Sequence, residues 1–492
     1  KLIYERSVPG RESAILPASA LPFGGISAGM KREKPLRLPE LSEVDVCRHY
    51  TALNKQVYGV NCGFYPLGSC TMKYNPAVNE EVAALPGFQN IHPLQPEETV
   101  QGCLEVLETL GSRLCELVGM DAMTFQPAAG AHGEFTGLLL IKAYLRDNGG
   151  AARNKIIVPD SAHGTNPAST SMTGFQIVNI PSAQDGSVDL DALRAAVGPD
   201  TAGLMLTNPN TLGMFDKNIL EITRIVHEAG GLCYYDGANM NAIMGTARPG
   251  DMGFDVIHLN LHKTFSTPHG CGGPACGATG VQKDLVKYLP SPLVGFDGQK
   301  YFFDYETASN ACAVGKVREW YGVAEVVLKA YCWIRSLGPN GLYQVAKTAV
   351  LNNNYLFKKL MELPEVSAYY EDGHNQRIEQ ARYSLENLEK ETGIGTLDIQ
   401  RRMMDFGMHY WTSHHPFYLP EPMTLEPTET PSKKDIDEYI ETLKYVFKEA
   451  HEDPETIKTA PHRSVTHQVD ESEMDDPAKW VLSWKTYLKK CE

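Results

Sequence analysis

The chain has 492 residues, of which 42% are hydrophobic and 21% are charged. These fractions are those of an ordinary globular protein, so they exclude a mainly disordered chain, and the length indicates two or three domains. The 45 basic and 60 acidic side chains give a net charge of −15, which makes nucleic acid and anionic membranes poor general partners, and we predict neither.

The eleven cysteines include no C-x-x-C pair, and the closest two are Cys271 and Cys276. This spacing fits neither a zinc site nor a disulfide framework, so we expect free thiols in a reducing compartment. No apolar run approaches the roughly 18–20 residues that span a membrane, and residues 1–10 lack the apolar core of a secretory signal. The sequence therefore predicts a cytoplasmic protein.

The first part of the chain, residues 1–95, is rich in proline and glycine and has little periodicity. Ser42 is suited to cap a short helix that runs towards Leu53, and residues 63–73 are predicted to form a loop. An arm of this length needs a surface to pack on, so we expect it to wrap the main domain or a partner subunit.

From residue 96 helices and strands alternate. Apolar residues at every third or fourth position predict a helix that ends at Gly119, and a second helix is predicted over residues 130–145. Two more follow, over residues 189–197 with Asp189 as N-cap and over residues 219–229. Strands are predicted at residues 156–158, 176–180, 204–206, 232–235 and 256–259. This order indicates a mainly parallel sheet covered on both faces, with ligands bound beyond the carboxyl ends of its strands.

After residue 309 the pattern becomes helical, with helices predicted over residues 317–337 and 342–360. Mixed helical and strand-like segments follow. We therefore predict three parts: an N-terminal arm (1–95), a large domain (96–330) and a smaller C-terminal α+β domain (331–492).

Chemically useful residues follow the predicted strands. Asp236 follows one strand, Lys263 follows the next, and His163 follows an earlier one; a helix rich in small residues starts near Gly130. Singly, each has an ordinary structural explanation: a turn, a solvated charge, a packed imidazole or close helix packing. Together they form the pattern that a pyridoxal phosphate site needs. Lysine forms an imine with the aldehyde, a carboxylate keeps the pyridine nitrogen protonated, and a helix N-terminus holds the phosphate.

Five longer motifs make the pattern more specific. They occupy residues 64–73 (FYPLGSCTMK), 160–168 (DSAHGTNPA), 207–213 (TNPNTLG), 235–242 (YDGANMNA) and 259–265 (LNLHKTF). In these segments the chain resembles the glycine decarboxylase P-protein family. The resemblance covers roughly residues 20–360, and residues 426–430 extend it into the last domain. The chain length and the early position of residues 64–73 resemble the second, or β, subunit of the family's two-subunit form.

The resemblance implies an α/β fold of fold type I, similar to aspartate aminotransferase, with pyridoxal 5'-phosphate as cofactor. It also implies decarboxylation of glycine and transfer of the aminomethyl group to the lipoyl arm of H-protein, the first step of the glycine cleavage system. The partners it implies are an α subunit and lipoylated H-protein. Two alternatives remain: a related decarboxylase or lyase that uses another amino acid, and a non-catalytic scaffold subunit. The intact lysine and aspartate count against the scaffold.

The resemblance and the chemistry together assign a role to each candidate residue. Lys263 would be the Schiff-base lysine, and Asp236 would pair with the pyridinium nitrogen. His163 would stack on one face of the cofactor ring and Ala238 would pack on the other. His262 would either assist proton transfer or only orient Lys263. The phosphate would be bound by Ala129, Gly130 and Ala131, and the ring hydroxyl by Thr207. The substrate carboxylate or the lipoyl entrance would lie near Ser69, Cys70 and Thr71, although Cys70 could instead be a packed side chain.

The chain also departs from the family pattern. Cys271 and Ala275 stand where the family has glycines, and they would strain this loop if it needed a positive φ. Ala278 replaces a proline, and residues 373–387 and 409–415 resemble the family poorly. His414 and His415 have no third ligand at a useful spacing, so we predict no metal site. These departures leave the substrate and the partner contacts open.

Overall fold

The computed structural model describes residues 1–12, 20, 25–34, 36–269, 275–307, 312–368, 377–413, 419–464, 468, 480 and 483–491. Cys271, His414 and His415 lie outside these residues, as does part of the poorly matching segment 373–387. The chain divides into two compact units, Lys1–Gly59 and Val60–Glu492. No helix in the described part is both long and apolar enough to cross a membrane.

The first unit contains short 3-10 turns at Ile3–Arg6 and Ala28–Met30 and one helix, α1 (Glu43–Asn54). Ser42 is its N-cap, as predicted. The Ser42 hydroxyl accepts a hydrogen bond from the Asp45 backbone N–H, and the Asp45 carboxylate accepts one from the Ser42 N–H, both at 3.2 Å. Because this reciprocal pair satisfies two of the free N–H groups at the helix start, it fixes where α1 begins.

The second unit is built around a twisted sheet. Among the described residues, seven strands have the order β1-β7-β6-β5-β4-β2-β3. Their bounds are β1 Ala122–Thr124, β2 Lys155–Pro159, β3 Gln176–Ile180, β4 Thr201–Leu206, β5 Leu232–Gly237, β6 Val256–Asn260 and β7 Gly277–Val281. The five strands from β2 to β6 are parallel, and β7 pairs antiparallel with both β6 and β1. The predicted mainly parallel sheet is therefore confirmed.

Helices cover both faces of this sheet. The helices of this part are α2 Ala77–Ala83, α3 Pro86–Gln89, α4 Gln101–Val118, α5 Gly130–Asp147, α6 Thr165–Met172, α7 Leu190–Ala196 and α8 Ile219–Glu228. Alternate residues of β5 enter different apolar clusters: Cys233 and Tyr235 one, Leu232 and Tyr234 the other. Burial on both faces explains why the strands are apolar runs rather than alternating ones.

Helix α5 lies unusually close to the sheet. A Cβ added at Gly137 would be 2.3 Å from the Tyr234 ring, and one at Gly133 would be 3.0 Å from the Cβ of His258. Only glycine allows this approach. It brings the first turn of α5 to the carboxyl ends of β5 and β6, which is where the predicted site residues lie.

The C-terminal part begins with α9 (Ala324–Leu360), which is kinked at Gly338 (φ 61°) just before Pro339. The two predicted helices correspond to its two halves, but the first starts at Ala324 rather than residue 317. Gly322 explains the later start: its φ is +71°, and an added Cβ would be 2.0 Å from the Phe125 carbonyl oxygen. This tight approach holds the preceding residues in a non-helical path.

A hairpin that precedes α9 joins β8 (Leu293–Phe296) and β9 (Tyr301–Asp304). Beyond α9 lies a small antiparallel sheet, whose strands among the described residues are β10 (Ser367–Ala368), β11 (Ala381–Ser384) and β12 (Pro422–Leu425). The helices of the C-terminal part that follow α9 are α10 Glu386–Thr392, α11 Thr396–Asp405, α12 Lys433–Glu452, α13 Pro454–Lys458 and α14 Trp484–Cys491. This part has an apolar core of its own, drawn from residues 356–457. The boundaries proposed at residues 95 and 330 stay predictions.

Candidate active site

A cleft of about 290 Å³ lies at the carboxyl ends of β4, β5 and β6. Ten of the twelve predicted site residues line it: Ser69, Ala129, Gly130, Ala131, His163, Thr207, Asp236, Ala238, His262 and Lys263. Cys70 and Thr71 do not. The topology thus brings together residues that are almost 200 positions apart, since β5 and β6 are neighbours in the sheet and α5 starts beside them.

Asp236 lies on β5 at the floor of the cleft and is 2% exposed. One carboxylate oxygen accepts a hydrogen bond from the Asn166 side chain at 2.9 Å, and the other accepts one from the Ala238 backbone N–H at 3.0 Å. Burial by itself would raise the pKa of Asp236, but the nearby imidazole of His258 and these N–H donors outweigh it and hold the pKa below its usual range. Asp236 is therefore a fixed anion.

His258, on β6, faces Asp236 across the parallel pair. Its Nε2 is 3.4 Å from the Asp236 carboxylate, and the Tyr234 hydroxyl is 2.5 Å from its Nδ1. Burial lowers the pKa of His258, and a tyrosine hydroxyl that donates to Nδ1 leaves the ring proton on Nε2, towards Asp236. The Tyr234 hydroxyl thus holds the His258 ring with its Nε2 facing Asp236.

A second buried carboxyl group, Glu134 of α5, lies on the other side of Asn166. Its oxygens lie within hydrogen-bonding distance of Thr165 (2.6 Å), Asn166 (3.1 Å) and Ser169 (3.1 Å), all at the start of α6. Burial and the neighbouring Asp236 raise the pKa of Glu134 to about 7. The two acids thus share one asparagine, and only Asp236 is firmly ionised.

Lys263 follows β6, and its Nζ donates a hydrogen bond to the Ser69 carbonyl at 2.8 Å. Ser69 and Thr71 both have positive φ, +63° and +48°, which is unusual for residues other than glycine. The Gln380 side chain supports this segment by accepting from the Ser69 N–H at 2.8 Å. The predicted loop 63–73 therefore lies against the lysine.

The start of α5 forms another wall of the cleft. No side chain caps this end, so backbone N–H groups of the first turn have no side-chain acceptor there. A Cβ on Gly130 would be 2.1 Å from the Asn260 side-chain oxygen, so glycine is needed at this position. An uncapped helix start lined by alanine and glycine suits an anion.

The imidazoles of His163 and His262 occupy different settings. His163 is exposed at the cleft, with its Nδ1 2.9 Å from the Thr165 hydroxyl. His262 is mostly buried, packs edge-to-face against His269 at 5.0 Å and lies 3.3 Å from the Cys276 carbonyl through Nδ1. Burial lowers the pKa of His262 to about 3, so its ring is neutral at physiological pH.

Comparisons with known proteins decide the family. The sequence model of the glycine cleavage system P-protein matches residues 25–301, and that of the glycine dehydrogenase C-terminal domain matches residues 345–467. The probable glycine dehydrogenase (decarboxylating) subunit 2 of Thermococcus gammatolerans is 50% identical over 491 residues, 99% of this chain and 96% of that protein. Its counterpart in Caldanaerobacter subterraneus subsp. tengcongensis is 51% identical over 475 residues, 96% of each chain. The chain belongs to the glycine dehydrogenase (decarboxylating) subunit 2 family.

Solved structures agree with the predicted fold class. A crystal structure of glycine decarboxylase (P-protein) in inhibitor-bound form superposes with a TM-score of 0.70 at 22% identity, covering 84% of this chain and 92% of that one. A NifS-like protein gives a TM-score of 0.61 at 15% identity, covering 78% of this chain and 99% of that one. The architecture is that of fold type I, as predicted.

With the chain placed in the glycine dehydrogenase subunit 2 family, the family's cofactor can be tested against the residues present. Two buried polar atoms on the cleft wall, Thr207 Oγ1 and Asn260 Oδ1, have no hydrogen-bond partner among the described residues. They accompany an uncapped helix start, the Lys263 amine and the Asp236 carboxylate. Pyridoxal phosphate has a phosphate, a ring hydroxyl, an aldehyde and a pyridine nitrogen, so this set of groups fits it.

The departures from the glycine dehydrogenase pattern are mild where the structure describes them. Ala275 is not among the residues with positive φ, so the strain considered for this position is absent there. Ala278 is fully buried on β7, opposite Leu259. Of the three substrate-side candidates only Ser69 lines the cleft, while the mostly buried Cys70 thiol, whose pKa burial raises, has the setting of a packed side chain.

The sequence alone did not point to several residues of this candidate site. His258 and Asn260 had a signal, because polar side chains in an apolar strand (VIHLN) need buried partners. Asn166 lies inside the motif at residues 160–168, and Glu134 lies in the predicted helix 130–145, but neither has a distinctive spacing. Glu379 and Gln380, which come from the C-terminal part, line the cleft without any sequence signal.

Proposed function

We propose that this chain is the glycine-decarboxylating subunit of a glycine cleavage system, with pyridoxal 5'-phosphate on Lys263 and transfer of the aminomethyl group to the lipoyl arm of H-protein. The observation that carries the proposal is the convergence of the Lys263 amine, the Asp236 carboxylate and the uncapped start of α5 in one cleft. Family membership supports the choice of reaction.

Each side chain would have a defined task. Lys263 Nζ would hold the cofactor's aldehyde carbon, Asp236 would keep the pyridine nitrogen protonated, and the α5 N–H groups would bind the phosphate. Thr207 Oγ1 would reach the ring hydroxyl, and His163 would lie on one face of the ring. When bound, the cofactor supplies an electron sink for the pair of electrons left by the departing carboxylate.

One part of the cleft wall favours loss of a carboxylate. Ser69, Glu379 and Gln380 line it, and among the described lining residues Lys263 is the only lysine or arginine. Glu379 is 3% exposed, and burial together with the nearby Glu426 raises its pKa well above the usual value. A substrate carboxylate here would meet little compensating charge, so its conversion to neutral carbon dioxide is favoured.

The decisive experiment is glycine-dependent exchange of labelled carbon dioxide into glycine, with and without lipoylated H-protein and a first subunit. We expect exchange by the wild-type chain and its loss in Lys263→Ala, together with loss of borohydride-trapped cofactor. Lys300→Ala, which removes an exposed lysine, is the matched control and should keep both. Covalent trapping that persists in Lys263→Ala would overturn the assignment.

The same assay separates the alternatives. Exchange with another amino acid but not with glycine would favour a related decarboxylase, which the departures in residues 373–387 permit. Absence of both trapped cofactor and exchange in the wild-type chain would favour the scaffold.

We also propose a cytoplasmic location, supported by nine free cysteines among the described residues, and an α subunit as partner, supported by the name subunit 2 carried by the relatives. Light scattering of the chain alone and co-expressed with a first subunit tests the partner.

A further inference from the structure

We propose that Gln380 is a positioning residue for Lys263, and that it keeps the Ser69 carbonyl in place as an acceptor for the lysine amine once a substrate amine has displaced it from the cofactor. The inference rests on the proposed function, because it concerns the exchange of Lys263 for a substrate nitrogen. It adds a residue of the C-terminal part to that reaction. The hydrogen bonds that hold residues 66–71 against the lysine carry it.

The Ser69 carbonyl accepts a hydrogen bond from the Lys263 amine, and the two atoms are 2.8 Å apart. Both residues line the cleft. A carbonyl oxygen can only accept, so the hydrogen comes from Nζ, which carries two hydrogens as an amine and three as an ammonium group. The bond is therefore available to a lysine whose nitrogen is not bound to the cofactor.

This hydrogen bond distinguishes two states of Lys263. While Nζ holds the cofactor's aldehyde carbon through a double bond, it carries at most one hydrogen, for which the ring hydroxyl of the cofactor competes. When an incoming amine takes over that carbon, two hydrogens pass from the incoming nitrogen to Nζ, and the lysine leaves as an amine. The Ser69 carbonyl thus stabilises the displaced lysine more than the bound one, and it favours the exchange.

Gln380 holds Ser69 in a conformation that the residue does not favour by itself. The φ of Ser69 is +63°, which costs free energy in a residue other than glycine. The Gln380 Oε1 accepts from the Ser69 backbone N–H at 2.8 Å and lies 3.2 Å from the Ser69 hydroxyl. Its Nε2 donates to the Thr211 carbonyl at 3.1 Å. Because Gln380 is buried and both polar atoms of its side chain are bonded, its position is fixed.

The residue before Ser69 is attached to the C-terminal part as well. The Gly68 N–H donates to the Thr424 carbonyl at 3.2 Å, and the Gly68 carbonyl accepts from the Thr412 hydroxyl at 2.7 Å. A Cβ on Gly68 would be 2.5 Å from the Thr424 carbonyl oxygen, so this segment lies directly against β12. Lys263, in contrast, follows β6 of the large sheet. The hydrogen bond from its amine therefore joins the large sheet to the C-terminal part.

The test measures attachment of the cofactor to the full chain rather than turnover. In Gln380→Met the side chain keeps about its length but can neither accept from Ser69 nor donate to Thr211. Because the displaced lysine then lacks a fixed acceptor, the equilibrium should move towards the cofactor-bound lysine. We expect pyridoxal phosphate to bind roughly fivefold more tightly than to the wild type, the effect of one hydrogen bond, as measured by absorbance titration with borohydride trapping. Loss of structure alone would weaken binding.

Displacement by methylamine gives a second measurement. This amine has no carboxylate, so it replaces Lys263 without release of carbon dioxide. The concentration that frees half of the cofactor from Lys263 should rise roughly fivefold in Gln380→Met. The matched control is Gln400→Met, which alters another buried glutamine of the C-terminal part, one that donates to the Trp411 carbonyl at 2.8 Å. It should leave both values within about twofold of the wild type.

A conservative variant keeps the proposal testable if Gln380→Met does not fold. Gln380→Glu retains an acceptor for the Ser69 N–H, so it should bind the cofactor no more tightly than the wild type. Weaker or unchanged binding in Gln380→Met, tighter binding in Gln380→Glu, or the same shift in Gln400→Met would overturn the proposal. Absence of trapped cofactor in the wild type would instead contradict the proposed function, and a failure of decarboxylation would appear only in the exchange assay.

Discussion

Asp236 separates charge from structure more clearly than any other site residue. In Asp236→Asn the side chain keeps its shape and an oxygen for the Ala238 N–H, but it loses the negative charge and turns an amide towards the Asn166 amide. We expect a folded protein whose glycine exchange falls about a hundredfold or more, because the charge that stabilises the developing electron pair is gone. Circular dichroism and the exchange assay measure the two effects.

A double variant supplies the control for that substitution. Asn166→Asp with Asp236→Asn restores one donor and one acceptor to the pair but places the charge on the other residue. If activity stays low while stability recovers, position of the charge is what matters. Recovery of exchange in the double variant would contradict the role given to Asp236.

At the residue scale, the sequence predicted the side chains that follow a strand, and it missed the side chains that surround them from other elements. Lys263 and Asp236 were found because each follows an apolar run. Tyr234 and Glu134 were not, since their contacts are made between separate elements, β5 with β6 and α5 with α6. Their partners are fixed by the distance between elements, which a single sequence does not contain.

At the scale of elements, Gly213 joins the loop after β4 to the C-terminal part. Its φ is +77°, and an added Cβ would be 1.8 Å from the Gln380 carbonyl oxygen, while its own carbonyl accepts from the Ile378 N–H at 2.7 Å. Gly213→Ala should lower the free energy of unfolding by more than the roughly 1–2 kcal/mol of a left-handed alanine, because the backbone must also move. Chemical denaturation measures it.

Gly393 is the matched control for this substitution. Its φ is +70°, but an added Cβ would meet nothing within 4 Å. Gly393→Ala therefore carries the conformational cost alone, and the difference between the two variants isolates the steric contact. If both variants lost the same free energy of unfolding, the backbone at Gln380 would be able to move away from the added methyl group at little cost.

The elements that sequence patterns missed are the ones with weak patterns. Strand β1 has three residues, and β7 reads GATGV, with two glycines in five positions. Gly280 of β7 is needed because an added Cβ would be 2.8 Å from Met123 and 3.0 Å from Ile257. Because close packing requires glycine in β7, this strand lacks the run of apolar side chains from which the other strands were predicted.

At the scale of the whole molecule, Lys73 links three distant parts of the second unit. The ammonium group is buried, donates to Asn241 at 2.8 Å and to Glu429 at 3.0 Å, and lies 4.4 Å from the Trp333 ring centroid. Lys73→Met would leave the Glu429 charge without its cation, so we expect a loss of about 3–5 kcal/mol in the free energy of unfolding. Urea denaturation checks this.

An exposed ion pair gives the comparison. Lys433 pairs with Asp437 four residues along α12 at the surface. Lys433→Met should change the free energy of unfolding by under about 1 kcal/mol, because water compensates for the lost partner. Lys73→Met with Glu429→Gln should recover part of the larger loss. If the two single variants were equally mild, Lys73 would not be a structural link.

The hydrogen bond between Ser69 and Gln380 joins residues that are 311 positions apart. During synthesis, the support for the segment against Lys263 is therefore missing until the C-terminal part has left the ribosome. At about 5–20 residues per second, the interval from one partner to the other is roughly 15 to 60 s. Lys263 precedes Gln380 by 117 positions, so the nascent large domain carries its lysine beside an incomplete cleft for roughly 6 to 23 s of that interval. A chain that stops before residue 380 lacks the Gln380 side chain that supports the segment against Lys263.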